Sequence, residues 1–322
     1  VNVKKLVILF SLIAVIVAGA LVPDTVPAAA KKIGVMWVGK SAMPKRVSLG
    51  FMAEIKRLMP DVQVVSKRDL PNWSEGELVF HQFQREMDGV VVLRSNGAEF
   101  LGKLETPPLV PCFVGACNDP QFLGAVANRN APDKNITGVT YYVPYDKRFK
   151  ALLKLIPDIK SVALLAERGH PGALLDKQGT RRECEKRGIQ YYEVEAGSVD
   201  ELVAGAREIA DKVDLFILAA NSLVQDNTVS LLPVSNNTKT PMFAYSSKPV
   251  KHGAVAGIAA RDEYLGTLLA ESVADVVGKG KSVSSVPIKT DPEPKLMVSQ
   301  AMIRMFGITI PETLLAEVEI NQ

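Results

Sequence analysis

The sequence predicts an α/β protein of two open lobes that share a cleft, and three observations carry that prediction. Apolar runs of strand length alternate with longer stretches of helical period, the pattern of parallel sheets flanked by helices. The alternation runs through once, stops near Tyr142, and starts again. Of the 322 residues, about 290 follow an apolar leader, a length that suggests two domains. A composition of 47% hydrophobic and 23% charged residues is that of an ordinary globular protein. The net charge of +3 is too small, and too evenly spread, to argue for nucleic acid.

The elements follow in order. Lys4 and Lys5 form a basic start, Leu6 to Val22 is almost wholly apolar, and Ala28-Ala29-Ala30 precedes Lys31-Lys32. This is the small-residue cleavage pattern of a secretory signal over residues 1–30. The other reading is an uncleaved anchor, since roughly 17 apolar residues is the short end of a membrane span. No Cys stands near the end of the stretch to take a lipid. The expectation is a mature chain beginning near Lys31, free in a bacterial periplasm and not embedded in a membrane.

In the first series Ile33–Val38 reads as a strand and Lys45–Leu58 as an amphipathic helix. Val62–Ser66 is a strand, Glu75–Met87 a helix, and Asp88–Leu93 and Leu109–Val114 are two further strands. In the second series Lys147–Ile156 is a helix with Leu152, Leu153 and Ile156 on its apolar face. Ser161–Ala166 is a strand, and the helix Leu174–Arg187 stops at Gly188. Gln190–Val194, Asp214–Ala219 and Pro241–Tyr245 read as strands, and Val199–Lys212 as a helix. The last quarter adds a small apolar run at Gly253–Ala259, a helix at Asp262–Val277 and a Gly/Lys/Ser linker at Gly278–Ser285. A strand at Lys295–Ser299 and a helix at Gln300–Phe306 close the pattern.

Cys112 and Cys117 are candidates for a bridge in an exported protein. Yet Val110–Val114 reads as a buried strand, and five extended residues hold the two Cα atoms roughly 16 Å apart, beyond bridging reach without a sharp turn. With Cys184 they are expected to be buried free thiols. These three and His81, His170 and His252 show no metal-ligand spacing. No phosphate loop, nucleophile elbow or paired acid/base motif stands out, so neither catalysis nor a cofactor is expected.

In open α/β sheets a ligand sits outside the carboxyl ends of the strands, at helix N-termini. Trp37, Lys40 and Ser41 follow the first strand. Trp37 is either a core aromatic or a flat wall for the ligand, and Lys40 either a solvated charge or a contact. Arg94, Ser95 and Asn96 follow the third strand and open a helix, where backbone N–H groups and a hydroxyl suit an anion. Asn118 follows the fourth strand, and Tyr141 stands at the end of the first series. In the second series Glu167, Asn221, Ser222 and Tyr245 hold the corresponding places, while His170 reads as an exposed loop residue.

Longer segments carry a resemblance. NITGV at Asn135–Val139, DKVDLFILAANSLV at Asp211–Val224, GAVAGIAARDEYLG at Gly253–Gly266 and KLMVSQAMIRMFGITIPETLL at Lys295–Leu315 resemble ABC transporter substrate-binding proteins related to tryptophan and tyrosine importers. The likeness runs from about Ile33 to Leu315. It implies a type I periplasmic-binding fold: two Rossmann-like lobes with parallel sheets, joined by a three-crossover hinge and closing on a ligand. The first lobe is expected over 31–142 plus 246–282, the second over 143–245 plus 283–322. It also implies a monomer that delivers a small molecule to an ABC permease and its ATPase. The rival is a sensor module that signals to a membrane kinase or chemoreceptor. Two departures bear on the ligand. Where amino-acid-binding relatives carry acids, this chain has Asn221 and Arg261, with Asp262 one place later. An ammonium buried without a carboxylate is penalised, whereas an Arg fork suits a carboxylate. The swap points to an anionic ligand clamped by Arg261 and Arg94, whereas a one-residue shift returns Asp262 to the ammonium role.

Overall fold

The computed structural model describes residues 30–315 and 318–321, and Lys31–Gln322 forms one compact unit. The leader read at 1–30 lies outside the described residues, apart from Ala30. Among the described residues no helix is long and apolar enough to cross a membrane.

The first series folds as β1 (Lys32–Val38), α1 (Ala42–Leu58), β2 (Gln63–Leu70), α2 (Trp73–Glu86), β3 (Gly89–Leu93), α3 (Ser95–Gly102), β4 (Cys112–Gly115) and β5 (Ile136–Thr140). The second begins with α4 (Tyr145–Leu155), β6 (Ser161–Glu167), α5 (Pro171–Arg187), β7 (Gln190–Ala196), α6 (Val199–Ile209) and β8 (Leu215–Leu218). It goes on through α7 (Ser222–Asp226), α8 (Thr228–Thr238), β9 (Met242–Ala244) and β10 (Ala256–Ala259). The chain closes with α9 (Asp262–Val273), β11 (Lys289–Thr290), β12 (Lys295–Ser299), α10 (Gln300–Met305), α11 (Glu312–Leu315) and β13 (Val318–Asn321).

Two sheets result, ordered β11-β5-β4-β3-β1-β2 and β13-β12-β10-β9-β8-β6-β7. Every pairing is parallel except β10 with β12. The central strands β3, β4 and β8 are buried along their whole length, as strands covered by helices on both faces must be. The chain passes between the lobes three times, at 141–144, 260–261 and 291–294, which gives the two Rossmann-like lobes and their three crossovers.

The sheets divide the closing segments differently from the sequence reading. Ala256–Ala259, placed with the first lobe in the expected boundaries, pairs with β9 and so belongs to the second sheet. Lys289–Thr290, placed with the second lobe, pairs with β5 in the first. The excursion back to the first lobe therefore runs over 260–290. Its main element is α9, whose Leu265, Leu269 and Val273 join the core with Val47, Phe51 and Ile55 of α1. The two helices approach closely because Gly50 and Gly266 lie between them: a Cβ on Gly50 would sit 2.8 Å from the Glu263 carbonyl carbon.

Cys112, Cys117 and Cys184 are free and buried. Burial pushes the Cys184 thiol up to about 12, and the other two higher still, so none is a ready nucleophile.

Candidate functional site

Turns from both lobes and residues of the hinge meet between the carboxyl ends of the two sheets. From the first lobe come the β1–α1 and β3–α3 turns, from the second the β8–α7 and β9–β10 turns, and from the hinge Tyr141 and Ala260. They line a cleft of about 270 Å³.

The β3–α3 turn is built on an unusual backbone. Arg94 has φ +79°, a left-handed conformation uncommon outside glycine, and its N–H donates to the Gly115 carbonyl at 2.9 Å. The turn throws the guanidinium back over β1, where Nη1 donates to the Val38 carbonyl. Gly39 leaves the space for it, since a Cβ there would collide with that nitrogen. Burial lowers the Arg94 pKa, a sign that its charge is partly desolvated. Ser95 then opens α3. Its Oγ accepts the Asn118 N–H at 3.1 Å and lies 3.4 Å from the Tyr141 hydroxyl. Next to it, Asn96 Oδ1 is buried without a partner.

The second lobe answers with α7 and the end of β9. Asn221 caps α7: its Oδ1 accepts the Val224 N–H at 3.3 Å. That bond fixes which way the amide points, and leaves Nδ2 buried and unpartnered. Ser246 Oγ is likewise buried without a partner. Both residues line the cleft. Unmet buried polar atoms are rare in folded proteins, and Asn96, Asn221 and Ser246 bring three of them to one cleft. His170 caps α5 by accepting the Gly172 N–H on Nδ1 at 3.0 Å. It is half-buried and lines the cleft, not the exposed loop residue read from sequence. Burial holds its pKa below the usual value, against the pull of Glu167.

Of the residues singled out in the sequence, Lys40, Ser41, Arg94, Ser95, Asn96, Tyr141, Asn221, Ser222, Tyr245 and Asp262 line this one cleft. Four do not. Trp37 is 0% exposed, and its indole N–H donates to Asp69 Oδ1 at 3.0 Å; it is a core residue. Asn118 is buried behind Ser95, its Oδ1 accepting the Asp119 N–H. Glu167 braces the start of α7 by accepting the Leu223 N–H at 3.1 Å. Arg261 forks onto Asp291, with Nε–Oδ2 at 2.9 Å and Nη2–Oδ1 at 2.7 Å, and lies over the Tyr264 ring. Its charge is spent on the hinge and is not directed into the cleft.

Sequence reasoning missed Arg46, Asp226 and Lys248, all on the cleft, while Ser246, read with Tyr245 at the end of its strand, lines it too. Arg46 left a signal. The start of α1 carries no acid but has Lys45 and Arg46, an unfavourable sign at a helix N-terminus unless acids answer them. Asp69 answers Lys45 at 3.0 Å and Asp262 answers Arg46 at 2.6 Å. Burial still raises the Asp262 pKa against the Arg46 charge.

The electrostatic result is a cationic surplus. On the cleft lining, Lys40, Arg46, Arg94 and Lys248 meet two acids, Asp226 and Asp262, each already holding one of the cations. Asp69, outside the lining, acts on Lys40 and Arg94 at longer range. Among the described residues, neither Lys40 nor Arg94 pairs with a carboxylate. Groups of His, Cys, Asp and Glu suited to a metal are not found among them either.

The two-lobe fold is shared by known proteins. A tyrosine-binding protein of Clostridioides difficile (strain R20291) is 22% identical over 195 residues, covering 61% of this chain and 56% of that protein. The match thus spans little more than half of that relative's length. Among solved structures, a conserved domain protein from Vibrio cholerae superposes with a TM-score of 0.77 at 21% identity, covering 91% of this chain and 100% of that one. A domain from Streptococcus pneumonia in complex with L-Trp gives 0.76 at 18%, covering 91% and 99%. These likenesses speak for the fold. The model of the family described as ABC transporter substrate binding protein matches residues 82–320, most of the chain, and the protein belongs to that family.

Proposed function

We propose that the protein is the periplasmic solute-binding component of an ABC importer, and that its cleft captures a small carboxylate-bearing molecule for delivery to the permease. The observation that carries the ligand class is the cationic surplus beside unpartnered donors. Lys40 and Arg94 form no ion pair with a carboxylate and feel Asp69 only at longer range, and Asn221 Nδ2 and Ser246 Oγ lack any partner. A carboxylate at the N-terminus of α3 meets the dipole of that helix as well as these charges. Donors from both lobes on one guest favour the closed arrangement by differential affinity. The leader read at 1–30 supports export.

A second reading has its own observation. Asp262 lines the cleft, so an α-amino acid can set its ammonium there if it competes with Arg46. The names of two similar proteins, one tyrosine-binding and one held with L-Trp, point the same way. Paired compounds separate the two. Thermal unfolding of protein freed of carried-over ligand is followed with L-tyrosine against 3-(4-hydroxyphenyl)propionate, L-tryptophan against indole-3-propionate, and small hydroxy acids. A ligand at a hundred times its Kd adds about 2.7 kcal/mol, a rise in midpoint of several degrees. Rises with the acids and not the amino acids support the anionic reading. Rises with the amino acids alone overturn it in favour of Asp262 as the ammonium partner. No rise with any carboxylate refutes both.

A further inference from the structure

Behind the second lobe's share of the cleft lies a buried ion pair that touches no ligand-facing space. Arg148 on α4 and Asp176 on α5 are each 1% exposed, with Nη1–Oδ1 at 3.2 Å. Charges at that depth forfeit their hydration, so a buried pair is weak evidence of a gain in stability. What the pair joins is more informative. Arg148 Nε donates to the Val143 carbonyl at 2.8 Å, in the first crossover between the lobes. Its guanidinium lies 4.6 Å from the Tyr145 ring centroid and 4.2 Å from that of Tyr245. Asp176 uses its two oxygens in opposite directions. Oδ1 accepts the Tyr145 hydroxyl at 2.7 Å, and Oδ2 accepts the Ala220 N–H at 3.0 Å.

Ala220 and Tyr245 both line the cleft, and Ala220 immediately precedes Asn221. Ala220 has left β8, so the sheet no longer offers its N–H a partner, and the Asp176 carboxylate takes that place. The Tyr245 ring is pinned from two sides, by Arg148 over its face and by Thr180 on its hydroxyl at 2.8 Å. Apolar residues of the same volume would fill this space but would satisfy neither the Val143 carbonyl nor the Ala220 amide.

We propose that Arg148 and Asp176 form a positioning pair, which fixes the ligand-facing turn Ala220–Ser222 and the Tyr245 ring against the crossover at Val143. Only the binding arm of its test rests on the cleft being the ligand site.

The test is Asp176→Asn in the full chain, read by amide hydrogen exchange. An Asn cannot serve both sides. With its oxygen kept toward Arg148, its NH₂ group faces the Ala220 N–H, donor against donor. The expected result is at least tenfold faster exchange at Ala220–Leu223, with β6 and β8 unchanged. Unchanged exchange at Ala220 overturns the proposal, and so does acceleration spread through the whole lobe, which is what a purely structural pair would give. Binding of L-tyrosine and of 3-(4-hydroxyphenyl)propionate is measured alongside. Whichever binds the unaltered protein is expected to weaken at least fivefold, and unaltered affinity in a variant with a loosened Ala220 overturns the proposal. If neither binds the unaltered protein, the ligand reading fails while the exchange result still decides the positioning role. Should Asp176→Asn not fold, Arg148→Lys keeps the charge and loses the fork. Exchange is then expected to rise at Val143–Tyr145 and Ala220–Ser222 together, and a rise at the first segment alone overturns the coupling.

Discussion

Arg261→Ala separates a hinge role from a cleft role, and the structure sets its size. Arg261 stands in the second crossover and Asp291 in the third, so their pair ties two of the three connections between the lobes. The Asp291 side chain is 0% exposed and that of Arg261 34%. The substitution removes both side-chain bonds but spares the backbone ones, since Asp291 still accepts the N–H groups of residue 261 and Glu293. A hydrogen bond to a charged group contributes about 1.5–3 kcal/mol, and solvent at the arginine screens part of it. A loss of about 2–3 kcal/mol follows, or roughly 3–5 °C in midpoint for a unit of this length. Acid provides the control. Burial pushes the Asp291 carboxyl up, but the Arg261 bonds and two backbone N–H groups outweigh it and hold the pKa below its ordinary value. A depressed carboxylate adds stability that is complete above about pH 4, its unfolded value, and is lost as pH falls through the folded one. Calorimetric midpoints of the two proteins are therefore expected to differ at pH 7 and to converge below about pH 4. Equal midpoints at pH 7 would refute the reasoning. So would an unchanged midpoint with ligand binding abolished, which would return Arg261 to the cleft.

Two further substitutions probe other parts of the account. Gly50→Ala drives a methyl into the Glu263 backbone where α1 and α9 cross, and overpacking of this kind costs about 1–3 kcal/mol. A thermal melt showing no loss would mean the helices part freely. Trp37→Phe removes the indole bond that, ahead of Lys45, lowers the Asp69 pKa. The Asp69 carboxyl signal is expected to titrate nearer its ordinary value, with binding of the carboxylate panel unchanged. A binding defect in a folded Trp37→Phe protein would place the indole at the ligand after all.

What the sequence made legible follows from how local the signal is. GVVVL and LFIL read as buried strands because an unbroken apolar run of that length has few other uses, and both are central strands. Ile136–Thr140 was legible only as a motif: Lys134 and Asn135 before it and Gly138 within it all have positive φ, a broken pattern that pairing with β4 overrides. Helix α8 escaped because Ser, Thr and Asn crowd it and Pro233 lies inside. Its burial of Leu231 and Val234 beside β8 and β9 outweighs poor propensity. Sheet membership is less local still. Nothing in Ala256–Ala259 says which lobe will pair with it, since a small apolar run suits either.

The cleft divides along the same line. The rule that ligands meet the turns after strands found the β1, β3, β8 and β9 turns, because it needs only strand ends. It failed at Arg261, where the charge was read correctly and its destination was not. Asp291 lies thirty residues on, in a connection with no periodicity of its own. One position along the chain, Asp262 turns into the cleft at the first residue of α9. An extended residue and the helical residue after it send their side chains in different directions. The alternative read from the sequence, Arg clamp or Asp partner, thus reduces to which of two neighbours stands before the helix and which inside it. The geometry gives the cleft to Asp262 and the hinge to Arg261. What remains for the ligand to decide is whether Arg46 keeps that carboxylate or yields it to an ammonium.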